Sequence, residues 1–103
     1  MPLRPIRSEE RLLIEALLKH PDVKKTYVIP EEVGSLGELG LQLSARGEHA
    51  EDLIEASYVD EDRRDVYLTL TANEHGELFE LDIWKSDFSP LKRYPAPGDL
   101  RFD

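Results

Sequence analysis

One face of a predicted β-sheet combines carboxylates with aromatic side chains, and these residue types are the ones in this sequence that could do chemistry. Because side chains alternate along a strand, residues two positions apart share a face. The candidate site residues on this face are Glu55, Tyr67, Leu78, Glu80, Asp82 and Trp84. An indole and a phenol among polar groups are typical of a protein-binding surface. Paired carboxylates can also act as general acid and base, or bind a hard cation.

The C-terminal part of the chain offers another explanation for the apolar members of this face. Phe88, Leu91 and Tyr94 follow the last predicted strand. A terminal segment that folds back onto a small sheet would cover Leu78 and Trp84 with these side chains. The sequence leaves both interpretations open, an exposed binding surface and internal packing.

Other patterns that resemble functional motifs fail on their spacing. The glycine-rich stretch 34–40 lacks the Gly-Lys-Ser/Thr of a phosphate-binding loop, and the acidic stretch 60–65 lacks the glycine and distal glutamate of a calcium loop. His20, His49 and His75 are too far apart in sequence to form a metal motif, and the chain has no cysteine. We therefore assign no catalytic residue, no metal ligand and no cofactor.

The charge distribution is strongly acidic in the second half of the chain. The net charge is -9, and residues 48–87 contain thirteen acidic against three basic side chains. Such a field repels nucleic-acid backbones, so we expect no nucleic-acid partner. A protein partner or a homodimer fits better, and an acidic mimic of nucleic acid is a further hypothesis.

The elements that must position this face form a predicted β-meander. A hairpin runs from Asp65 to Trp84 around the turn 73–76, where Gly76 supplies a positive φ. Its predicted register places Leu70 opposite Phe79. A preceding strand, residues 53–59, pairs with the hairpin so that Val59 faces Asp65.

The N-terminal half is predicted to add one helix and further strands. Ser8 is the predicted N-cap, Leu13 and Leu17 face the sheet, and Pro21 ends the helix. Residues 24–29 and 38–45 are predicted strands, with a loop at 31–37. We expect an α+β fold, with one N-terminal helix packed on a four- or five-stranded, mostly antiparallel sheet ending in the meander, in a single domain, 1–103.

No stretch of the sequence predicts a membrane or export signal. The longest apolar runs are three residues, and Met1–Pro5 has an arginine and two prolines where a signal peptide is apolar. We therefore expect a cytoplasmic protein with no membrane partner.

Two stretches resemble a family of small uncharacterised bacterial proteins, a domain of unknown function. They are the opening Leu3-Arg4-Pro5-Ile6-Arg7-Ser8-Glu9-Glu10 and the stretch from Gly76 to Leu91, which contains Glu77-Leu78-Phe79-Glu80-Leu81-Asp82-Ile83-Trp84. The resemblance implies a one-domain α+β fold and brings no agreed activity. Toxin-neutralising immunity proteins share only its size and acidity.

The function that these observations favour is that of a non-catalytic, acidic protein-binding module, self-associating or immunity-like. The alternative is a small ligand- or metal-binding enzyme that uses the carboxylates of the sheet face.

Overall fold

The fold is α+β, as predicted, with one helix packed on one face of an antiparallel sheet. The computed structural model describes residues 2–37 and 39–102. Its elements are β1 (Arg4–Pro5), α1 (Ser8–Leu18), β2 (Glu32–Leu36), β3 (Gly40–Gln42), β4 (His49–Val59), β5 (Asp65–Asn73), β6 (Leu78–Lys85) and a 3₁₀ turn (Pro97–Asp99). The strands form one six-stranded sheet in the order β1-β2-β3-β6-β5-β4, with every neighbouring pair antiparallel. The prediction of four or five strands was therefore too low.

Helix α1 packs through the predicted side chains but begins slightly differently. Ser8 is the first helical residue, and Arg7 is the N-cap. Glu10 reaches back to accept a hydrogen bond from the Arg7 backbone N–H at 2.8 Å, which satisfies a donor that the helix itself cannot. Leu13 and Leu17 are buried against the sheet. Within the described part of the chain, no helix is long and apolar enough to cross a membrane.

The pairing of β4 with β5 matches the predicted register. Val59 lies opposite Asp65, and Tyr58 lies opposite Val66. The apolar residues of both strands point to the same face, which is the face that α1 covers. Alternation and turn length were sufficient to specify this register.

The hairpin formed by β5 and β6 is present, but its register differs from the predicted one. Leu70 lies opposite Leu81 instead of Phe79, a shift of two residues. From Leu81 to Lys85, this shift of two leaves the side chains on their predicted faces, because the faces alternate with the same period. The core therefore keeps the predicted residues of β5 although their partners on β6 change.

A turn and a bulge together account for this shift. The connection spans residues 74–77 instead of 73–76, and Phe79 and Glu80 then lie together opposite Thr71. The Thr71 hydroxyl oxygen accepts a hydrogen bond from the Glu80 N–H at 3.1 Å and donates to the Glu80 carbonyl at 3.3 Å. This bulge reverses the alternation of faces between the two ends of β6.

The strand predictions for residues 24–45 were largely wrong. Residues 24–29 form no strand and pair with no strand of the described chain, and Val28 is 86% exposed. The predicted loop 31–37 contains β2 instead, which pairs with β3 and turns at Gly37, where φ is +61°. Of the predicted strand 38–45, only Gly40–Gln42 is a strand, and Glu38 lies outside the described residues. Residues 24–29 are β-prone but lack a neighbour to bond to, and pairing decides the outcome.

The C-terminal segment, defined here as residues 86–102, returns over the same face as the helix. The Tyr58 hydroxyl donates to the Arg93 carbonyl at 3.0 Å, and Leu100 packs against the core. Arg101 forms a two-bond backbone bridge with Ser57 on β4. The proline-rich stretch 95–98 is not expected from its sequence to form regular structure, yet the 3₁₀ turn at Pro97–Asp99 and the bridge at Arg101 fix its path.

A buried ion cluster joins the end of β6 to the turn before β5. The fully buried Lys85 ammonium donates to Asp60 Oδ2 at 3.0 Å, to Asp62 Oδ2 at 2.7 Å and to the Pro90 carbonyl at 3.0 Å. All three ammonium protons therefore have acceptors, as burial of a charge requires. We call Asp60, Asp62 and Lys85 the buried ion cluster.

The environment of Asp60 keeps its carboxylate ionised. Burial by itself would raise the pKa of Asp60, but hydrogen bonds from the Lys92 N–H, the Lys85 ammonium and the Glu61 N–H outweigh it and lower that pKa below its ordinary value. A third backbone N–H, that of Arg93, donates to the same carboxylate at 3.2 Å. Protonation therefore favours the unfolded chain, whose Asp60 binds protons more tightly.

We expect Asp60→Asn to lower the free energy of unfolding by about 2–4 kcal/mol at neutral pH, because it removes the fully buried counter-ion of the Lys85 ammonium and leaves only Asp62, which is partly exposed. Stability that Asp60 supplies is present above about pH 4 and is lost as the pH falls through its lowered pKa. Urea titrations from pH 7 to pH 2 should therefore show a flatter acid limb for the variant. The control Glu61→Gln, on an exposed neighbour, should stay within about 0.5 kcal/mol of the parent. A loss below about 1 kcal/mol for Asp60→Asn would show that the cluster does not hold the fold.

Candidate functional site

The sheet face opposite the helix carries an exposed group of aromatic rings. Tyr67 on β5 and Trp84 on β6 are direct cross-strand partners, with ring centroids 5.4 Å apart. Phe88 meets the indole edge to face at 5.7 Å. The exposed fractions are 45% for Tyr67, 46% for Trp84 and 69% for Phe88. We call these three residues the aromatic patch.

The C-terminal segment does not cover this patch. Leu91 and Tyr94 pack against the core instead, and the Tyr94 hydroxyl lies 3.4 Å from Glu10 Oε2 on the helix. Phe88 contacts Trp84 but is itself mostly exposed. Of the two interpretations that the sequence left open, the exposed surface describes Tyr67 and Trp84.

Leu78 does not lie on this face. It is 2% exposed and belongs to the core cluster with Leu81 and Ile83. The bulge at Phe79 and Glu80 reverses the alternation, so that Leu78 points inward although simple counting from Trp84 points it outward. The candidate surface is therefore smaller by one apolar residue.

The three candidate carboxylates lie along the face without forming a cluster. Glu55 and Asp82 both flank Thr69 of the intervening strand β5, so their backbones are two strand spacings apart, about 10 Å. Glu80 is nearer to Asp82 on β6 and lies opposite Gln42 of β3. Among the described residues, no group of three or more His, Cys, Asp or Glu side chains is placed to hold a metal ion.

The cationic side chains nearest to this face are already engaged. Arg101 lies 3.7 Å from Asp65, and Arg64 lies 3.5 Å from Asp87. By contrast, Glu55, Glu80 and Asp82 form no ion pair with any described residue. The face therefore presents uncompensated negative charge beside the aromatic patch.

An open groove of about 510 Å³ runs beside the aromatic patch. Leu36 and Leu39, at the tip of the β2–β3 hairpin, form one wall, and Trp84 and Phe88 form the other. The carboxylates of Glu80 and Asp82 lie along it. We call this the Trp84 groove.

Sequence reasoning found half of this groove. It identified Trp84, Glu80 and Asp82 from strand alternation and named Phe88 as a side chain that could cover Trp84, but it missed the two leucines of the opposite wall. Leu36 lay in a stretch predicted to be a loop, and the position of Phe88 depends on the ion cluster that anchors the segment beyond Lys85. A lysine at an inward position of the hairpin was the available signal for that cluster.

Comparison with known proteins identifies a family without an assigned activity. A family model described as a domain of unknown function (DUF6984) matches residues 3–95. No curated protein and no solved structure matches the chain. The match confirms the resemblance to an uncharacterised family that the sequence indicated.

Trp84 is the one tryptophan of the chain, so its fluorescence reports on this face alone. We expect acrylamide to quench it readily in the native protein, because nearly half of the side chain is exposed. Phe88→Ala should steepen the Stern–Volmer slope, since it removes the ring that lies against the indole. Phe102→Ala, which removes a phenyl ring stacked near His20 instead, should leave the slope unchanged. Quenching as weak as that of a buried indole would contradict the open face.

Proposed function

Because the chain belongs to the family of the domain of unknown function DUF6984, which brings no activity with it, we propose a function from the exposed face alone. The protein is a non-catalytic, acidic protein-binding module whose interface centres on the aromatic patch. The observation that supports this most is that Tyr67 and Trp84 lie side by side on a sheet face with Phe88 against the indole, and that all three rings remain exposed.

The composition of the patch supports binding by a protein. Tryptophan and tyrosine are enriched among the residues that dominate interface energies, because each buries a large rigid surface at a low entropic cost. Here the Tyr67 and Trp84 rings already contact each other, so little side-chain freedom remains to be lost on association. The patch is thus preorganised.

The charge around the patch supports a partner with a basic surface. Glu55, Glu80 and Asp82 lie on the same face, and the whole chain carries a net charge of -9. Complementary charge raises association rates and selects among partners more than it raises affinity. The same charge opposes nucleic acid, and it opposes close approach of a second copy through this face.

The geometry favours binding over catalysis. Glu55 and Asp82 are separated by a full strand and are exposed to solvent, and Glu80 is only partly buried, so none of the three lies in an enclosed site. General acid–base chemistry requires groups within hydrogen-bond reach of one reacting atom. The enzyme alternative therefore has no observation of its own to support it.

We expect Trp84→Ala to weaken binding of the native partner by about 2 kcal/mol, roughly thirtyfold, because truncation removes the centre of the interface. The partner is to be obtained by affinity capture of the tagged protein from cell lysate, identified by mass spectrometry, purified and titrated calorimetrically. Sedimentation equilibrium tests self-association in parallel.

The matched control is Val28→Ala, which removes an exposed apolar side chain in the segment before β2, away from the patch. Thermal unfolding should show that both variants keep a cooperative fold. If Trp84→Ala binds the partner as tightly as the parent does, the aromatic patch is not the interface.

A further inference from the structure

The sheet has a gap beside the C-terminal half of β6. Strand β3 pairs with β6 through only two pairs, Leu41 with Leu81 and Gln42 with Glu80. Strand β3 begins at Gly40, whereas β6 continues to Lys85. On that side of β6, no strand of the described chain pairs with residues 83–85. The Trp84 groove occupies this gap.

The hydrogen-bonding pattern shows which backbone groups face the gap. The Ser86 N–H donates to the Asp65 carbonyl at 3.1 Å, so these two residues form a hydrogen-bonded position of the β5–β6 ladder. Bonded and non-bonded positions alternate along an antiparallel pair. Trp84 therefore bonds to Tyr67, while the N–H and C=O of Ile83 point away from β5 and into the groove.

The other edge of β5 gives an independent check of this alternation. Ser57 uses its N–H and C=O to bond outward to Arg101, at 2.9 and 2.8 Å, and so does not bond to its neighbour Tyr67. The Tyr67 groups must then point to the opposite side, towards Trp84. The hydrogen bonds on the two sides of β5 therefore agree that Tyr67 bonds to Trp84 and that the backbone of Ile83 faces the groove.

Ile83 has no partner from β3 because the chain leaves the sheet too early. Leu41 and Leu81 form a backbone-hydrogen-bonded pair between β3 and β6. Such pairs recur every second residue, so the next pair in the same register would be Leu39 with Ile83. Leu39 lies in the turn after Gly37 and forms no backbone hydrogen bond to Ile83. The groove therefore presents a short strand edge with its bonding groups free of β3.

We infer that the Trp84 groove binds an extended, basic segment of a partner protein, which adds to β6 as a short strand beside Ile83. This inference rests on the proposed function and names the partner's chemistry and its mode of binding. The segment takes the place that a longer β3 would have filled, and its backbone bonds to Ile83. Strand addition of this kind gives affinity through the backbone and selectivity through alternate side chains.

The walls of the groove determine which side chains the segment carries. In an added strand, the side chains that point to the exposed face lie beside Trp84 and Asp82. Glu80 also lines the groove, two residues before Asp82 on β6. An arginine or lysine there stacks on the indole and approaches a carboxylate that no described residue neutralises. Leu36 and Leu39 accept the aliphatic stem of that side chain or an apolar neighbour.

The long edge strand of a second copy of this chain does not fit the groove. Its long edge strand β4 carries Glu51, Asp52 and Glu55, so pairing would place carboxylates against Asp82 and Glu80. Like charges on neighbouring strands are destabilising. The charge of the groove thus selects a basic partner over self-association.

The test uses a fluorescein-labelled peptide of alternating arginine and valine, followed by anisotropy on the full chain. Two twin peptides vary one property each: one has glutamate in place of arginine, and one carries N-methyl groups on alternate backbone nitrogens. We expect the arginine peptide to bind, the glutamate peptide not to bind, and N-methylation of the edge that faces Ile83 to weaken binding about tenfold by removing backbone hydrogen bonds.

Variants of the protein test whether the arginine peptide binds in the Trp84 groove. Asp82→Asn should weaken the arginine peptide by about two- to fivefold at low salt, whereas Glu9→Gln, which removes the same charge from an exposed position of α1 on the other face of the sheet, should have no effect. Equal binding of the glutamate or N-methylated peptide, or no binding of the arginine peptide at millimolar concentration, would overturn the inference.

The native partner separates failure of this inference from failure of the proposed function. If Trp84→Ala abolishes partner binding while the arginine peptide neither binds nor competes, the protein-binding module stands and strand addition is wrong. If Trp84→Ala leaves partner binding intact and the peptide does not bind, both are wrong. If the arginine peptide competes with the partner and its N-methylated twin does not, both are supported.

Discussion

The buried ion cluster is the interaction on which the exposed face depends. Lys85 ends the strand that carries Trp84, and its ammonium also bonds to the Pro90 carbonyl, so the intervening residues must turn back sharply. Phe88 takes a positive φ of 61° within that turn, and its N–H donates to the Lys85 carbonyl. The position of Phe88 against the indole, and with it one wall of the Trp84 groove, follows from a charge pair on the opposite side of the sheet.

Local pattern predicted the parts of the fold that depend on few residues. The β4–β5 register follows from alternation across a five-residue connection, and the structure matches it residue by residue. The bulge at Phe79 and Glu80 was not predictable in this way, because it is stabilised by Thr71 from the neighbouring strand. Because this bulge was not predicted, Leu78 was assigned to the exposed face although it lies in the core. The ion cluster was also missed, because Asp60 and Lys85 meet only after the hairpin has formed.

Both covering elements lie on one face of the sheet, and this arrangement leaves the other face open. The helix contributes Leu13, Ile14 and Leu17 to the core, and the C-terminal segment closes the side near β4 with Leu100 and Arg101. An antiparallel sheet tolerates one solvated face when its residues are polar. Here that face also carries the aromatic patch, which solubility alone does not require.

The long outer edge at β4 and the short interior edge at Ile83 differ in what they present to a further strand, and the contrast bears on function. Edge strand β4 is long, but it has register shifts at two places, exposed carboxylates and the Arg101 bridge, all of which hinder addition of a further strand. The edge at Ile83 is short and lies between apolar walls, and no bulge is present between Leu81 and Lys85. Its carboxylates oppose acidic strands and attract basic ones. The sheet thus hinders strand addition along its long edge, β4. The edge at Ile83 is short, regular and acidic and lies beside the aromatic patch, so it favours a basic strand over an acidic one.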